Sequence, residues 1–62
     1  MDKLTRLENE AVEQLGRYFR ARQAYRRRDT PHTQLALRKS ERAAEEAWTR
    51  FFQADELERT RG

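Results

Sequence analysis

The chemical resource of this 62-residue chain is its charge: fourteen Lys and Arg, eleven Asp and Glu, one histidine and no cysteine. The arrangement of these groups argues against catalysis. His32 stands alone beside Pro31, where Asp29 offers it a local hydrogen bond and no second catalytic group is near in sequence. Glu10/Glu13 and Glu45/Glu46 fall on solvated faces of a helical wheel, with no cleft to raise a carboxyl pKa. There is no Glu-x-x-His pair of the kind that builds carboxylate-bridged metal centres in bundles, no glycine-rich phosphate loop and no nucleophile elbow. Without cysteine, a disulfide framework and a Cys-ligated zinc site are excluded. The expectation is a non-enzymatic protein with no cofactor, no metal and no small-molecule substrate. An anion could sit on the backbone amides after Thr30 with Arg27 or Arg28, but a capped, empty turn is the expected state.

The net charge of +3 hides an asymmetry. Residues 16–42 hold Arg17, Arg20, Arg22, Arg26, Arg27, Arg28, Arg38, Lys39 and Arg42 against Asp29 and Glu41, nine cations against two anions, or +7. The rest of the chain holds five cations against nine anions, or −4. In the acidic part, Asp2–Arg6, Glu13–Arg17, Glu46–Arg50 and Asp55–Arg59 are acid-first pairs four residues apart, each worth a few tenths of a kcal/mol on a helix. In the basic part that pattern fails. Arg20, Arg22, Arg26, Arg27 and Arg28 have no carboxylate three or four residues away, apart from Asp29 for Arg26, and Arg22–Arg26 and Arg38–Arg42 are like-charge pairs. The helix dipole accounts for Arg26, Arg27 and Arg28 in a last turn. For the remainder the candidates are the acidic end of a second copy lying antiparallel, the phosphates of RNA or DNA, and an acidic patch on another protein. Arg20, Arg22, Arg26, Arg27, Arg28, Arg38, Lys39 and Arg42 are the candidate polyanion-binding set.

These charges require elements to position them. Turn chemistry occurs at one place, Asp29-Thr30-Pro31. A residue before proline avoids the helical region and proline suits the first position of a helix, so Thr30 is the expected N-cap and Pro31 N1. The spacing predicts one domain over 1–62 with helix 1 over about 2–28, a turn at about 29–30 and helix 2 over about 31–60. A connection this short makes them an antiparallel two-helix hairpin, all-α, with residue i opposite roughly 60 − i. Leu4, Leu7, Ala11, Leu15, Tyr18 and Tyr25 form one face of helix 1, with Arg22 falling on the same stripe; Ala36, Leu37, Ala44, Ala47, Trp48, Phe51, Phe52 and Ala54 form that of helix 2. Tyr18 and Tyr25 read as packing residues before stacking platforms for bases. Gly16 interrupts the first pattern, either to admit a close neighbour or without a role.

Each apolar arc covers about 180° of its wheel, wider than the roughly 100° that one partner helix covers. Val12 and Phe19 lie on one edge of the first arc, and Trp48 and Phe52 on one edge of the second. The hairpin is therefore expected to dimerise into a four-helix bundle, or to dock on another helical protein, through Val12, Leu15, Phe19, Trp48, Phe51 and Phe52. The longest apolar run is Leu35-Ala36-Leu37, so no membrane partner is expected, and the absence of cysteine and of an export signal suggests the cytoplasm. No run of residues matches a family motif. In length and inferred shape alone the chain resembles the dimeric four-helix-bundle RNA-binding regulators of plasmid primer formation, a likeness that transfers no residue contacts.

Overall fold

The computed structural model describes residues 2–61. Two helices, α1 (Lys3–Arg27) and α2 (Pro31–Arg61), lie side by side as an antiparallel hairpin, and the described residues contain no strand. The hairpin extends 48 × 17 × 12 Å. Its smallest dimension is the width of one helix, so this is a single layer, where most domains stack at least two.

The turn is built from the residues that the proline constrains. Thr30 caps α2: its Oγ1 accepts the Thr33 backbone N–H at 3.2 Å, while the Thr30 N–H donates to Thr33 Oγ1 at 3.0 Å. This is a reciprocal capping box with threonine in the place usually taken by Glu or Gln. The Thr33 hydroxyl also donates to the Arg28 carbonyl at 2.7 Å, tying the end of α1 to the start of α2. Arg28 is already extended (φ −149°, ψ 102°), so α1 ends at Arg27 and the turn includes one residue more than expected. Its N–H still reaches the Ala24 carbonyl at 3.0 Å. Asp29 does not meet His32; its carboxylate accepts the Gln34 side-chain amide at 3.0 Å, and His32 is exposed.

Between the helices the buried residues are all small: Ala11, Ala44 and Ala47, with no large side chain fully buried. Alanine at these positions lets the two backbones approach, while Leu4, Leu7, Leu15, Tyr18, Tyr25, Leu37, Trp48, Phe51 and Ala54 line the seam half-buried. Ala36 is exposed, a departure from the expected face. The buried stripe runs through Thr33, Leu37, Ser40, Ala44 and Ala47 at spacings of four and three, and Ala36 falls on its flank. Arg22, on the stripe of α1, is exposed and extends to water as a snorkelling arginine does. The register is marked by Arg50, whose Nη2 donates to Glu10 Oε1 at 3.3 Å across the helices, two residues whose numbers sum to 60.

Candidate interaction surface

The unequal faces of the hairpin follow from where the apolar side chains stand relative to the seam. Leu15 and Tyr18 of α1 meet Ala44, Trp48 and Phe52 of α2 around an open groove of about 570 Å³, with Glu41 and Glu45 on its rim. Trp48 organises the α2 side: Phe52 stacks on it with ring centres 5.6 Å apart and planes 28° from parallel, and Phe51 meets it edge-on at 5.8 Å. On α1, Phe19 tilts against Tyr18 with centres 5.7 Å apart. Val12 and Phe19 lie three residues before and four after Leu15, on the groove side of the same helix. Val12 is 54% exposed, Phe19 51% and Phe52 59%, so large apolar side chains face water here although alanines fill the seam.

Five of the six residues expected at an interface, Val12, Leu15, Phe19, Trp48 and Phe52, thus share one face. Phe51 differs. It follows Ala44 by seven residues and Ala47 by four, which sets it on the seam, half-buried beneath the other rings. The opposite face carries the Glu10–Arg50 pair.

The second feature is the turn end. Arg20, Arg22, Arg26, Arg27, Arg28, Arg38, Lys39 and Arg42 are all exposed, and among the described residues none pairs with a carboxylate. Arg20 Nε makes only a long bond to the Gly16 carbonyl, 3.4 Å. The three ion pairs present involve Arg17 with Glu13 (3.1 Å), Arg50 with Glu10 and Arg59 with Asp55 (3.3 Å). Two of the four expected pairs within helices therefore form. Glu46–Arg50 does not, because Arg50 reaches across to α1, and Asp2–Arg6 is joined only through the backbone, the Arg6 N–H donating to the Asp2 carbonyl at 3.1 Å. Of the backbone amides after Thr30, that of Thr33 is taken by the Thr30 hydroxyl.

Sequence reasoning missed Thr33, the cross-helix partner of Arg50, and the place of Glu41 and Glu45 beside the groove. The last was accessible: Glu41, Glu45, Trp48 and Phe52 follow one another at spacings of four, three and four. A β-branched residue at the third position of a helix was a weaker signal, since only the Glu or Gln form of the capping box is common. Among the described residues no three His, Cys, Asp or Glu are grouped to hold a metal, and no helix is long and apolar enough to cross a membrane. Comparison of the chain with models of known protein families, with curated proteins and with solved structures finds no match.

Proposed function

We propose that this protein is a non-enzymatic assembly module, acting through self-association or by docking on a helical protein partner. The observation that carries this reading is the uncovered face of Val12, Leu15, Phe19, Trp48 and Phe52 on a hairpin whose buried residues, among those described, are three alanines. Contiguous apolar surface rimmed by charge is characteristic of interaction sites on small soluble domains, and aromatic residues dominate interface energetics. Sedimentation of the pure protein, with melting over a hundredfold range of concentration, tests it. Association is expected to raise Tm with concentration and to be lost in Trp48→Ala. A monomer with a concentration-independent Tm, unaffected by Trp48→Ala and with no protein partner, overturns it.

A second reading rests on a different observation, the eight cations of the turn end that pair with no carboxylate among the described residues. They suit the phosphates of RNA or DNA. Binding of this kind falls log-linearly with salt, and Arg27→Ala/Arg28→Ala lowers the slope. Absence of binding to a generic RNA or duplex at low salt ends this reading and leaves the first intact.

A further inference from the structure

Resting on the assembly reading, we infer that the occupant of the apolar face is a second copy of this chain laid antiparallel, with the basic end of each hairpin on the acidic end of the other. The hairpin has more exposed surface than a compact chain of its mass. The chain exposes 5363 Å², whereas a compact monomer of 7.5 kDa exposes about 4,200 Å². The difference, roughly 1,100 Å², exceeds the approximately 800 Å² that each partner contributes to a stable interface. It arises from the shape: a layer 12 Å thick and 48 Å long has too much surface for its mass, and face-to-face apposition of two such layers removes it.

The groove side of α1 supplies the register. Glu8, Val12, Leu15, Phe19, Arg22 and Arg26 follow one another at spacings of four, three, four, three and four, the period of a coiled-coil seam. All are exposed except Leu15, which is half-buried. The seam is acidic toward one end, apolar in the middle and basic toward the other. Run antiparallel on itself, it sets Leu15 against the partner's Phe19, Val12 against the stem of the partner's Arg22, and Glu8 against the partner's Arg26. Each contact occurs twice by symmetry. A parallel pair would instead bring two +7 halves together, which is repulsive. In this register Arg26 of each copy, unpaired in the single hairpin, gains Glu8 of the other as its carboxylate.

The chain contains no cysteine, so Asp29→Cys places a single spin label at the turn of the otherwise unaltered protein. Sedimentation gives the state of association and the label-to-label distance gives the orientation. A dimer with labels about 35–40 Å apart is expected, from the rise of 1.5 Å per residue along the antiparallel seam. Charge reversal reads the seam itself. Arg26→Glu is expected to weaken the dimer about tenfold or more, and Arg26→Glu/Glu8→Arg in one chain to restore it to within about threefold. A dimer with labels closer than about 20 Å, or one that Glu8→Arg fails to rescue, overturns this inference and leaves self-association standing. A monomer that binds another protein through Trp48 overturns it while sparing the docking form of the assembly reading. A monomer with no protein partner that binds RNA with a steep salt dependence overturns both.

Discussion

Thr33 is the residue on which the turn depends most. Its hydroxyl oxygen accepts from the Thr30 N–H, its O–H donates to the Arg28 carbonyl, and its backbone N–H donates to Thr30 Oγ1. Replacing Thr33 by Val keeps the branched shape and removes the hydroxyl's bonds. It is expected to cost about 1 kcal/mol, similar to Thr30→Ala at the cap itself, read as a shifted urea midpoint at unchanged slope. Gly16 is the opposite case. Nothing lies within 4 Å of where a Cβ would stand, so the hairpin itself does not require glycine there. Gly16→Ala is expected to stabilise the isolated hairpin by about 0.5–1 kcal/mol through helix propensity, a rise in Tm of a few degrees for a chain of this size. A fall in stability confined to the associated state would place a partner's backbone against Gly16.

At the scale of elements, α1 and α2 are held together by small buried residues and half-buried large ones. Ala11 is 0% exposed and Ala47 2%, so neither site has room. Ala47→Leu is expected to destabilise by about 1–3 kcal/mol by forcing the helices apart, with a matching loss of helical circular dichroism on heating. The Glu10–Arg50 contact acts differently. Its side chains are about half exposed, 48% and 54%, at 3.3 Å. A double-mutant cycle across Glu10→Ala and Arg50→Ala is expected to return less than about 1 kcal/mol and to shrink with salt. The pair marks register more than it stabilises. That the expected Glu46–Arg50 pair gives way to it shows how a long arginine side chain, offered two carboxylates, can leave the one on its own helix.

At the scale of the whole molecule, the two faces of the layer differ, and so do its two ends. On the proposed reading, the apolar face would govern association and the basic end the response to salt, and two variants test whether they separate. Trp48→Ala is expected to abolish concentration-dependent melting, and Arg27→Ala/Arg28→Ala to change its salt dependence first. A coincident loss of both functions in either variant would mean that one surface serves both, as it does when the arginines of one copy meet the carboxylates of another. Lone chains of this length retain little net stability from burial, and a hairpin whose fully buried residues are all alanine has less than most.

Much of this was legible in the linear order of residues. Pro31 with Thr30 before it located the turn, because proline restricts both its own φ and its neighbour's backbone. Spacings of three and four defined the apolar stripes, and a short turn left the antiparallel hairpin as the arrangement of the two helices. The same spacing placed Val12 and Phe19, and Trp48 and Phe52, on the edges of their arcs. What only the tertiary structure decided was how the two stripes rotate onto one another. That rotation put Phe51 in the seam and Ala36 outside it, set the two edges on one side of the hairpin beside a groove lined by Leu15, Trp48, Phe52, Glu41 and Glu45, and let Arg50 choose Glu10. Periodicity fixes which residues share a helix face, since it depends only on the local backbone. Which part of a wide face is covered depends on side chains that are distant in sequence, and that is settled when two helices pack.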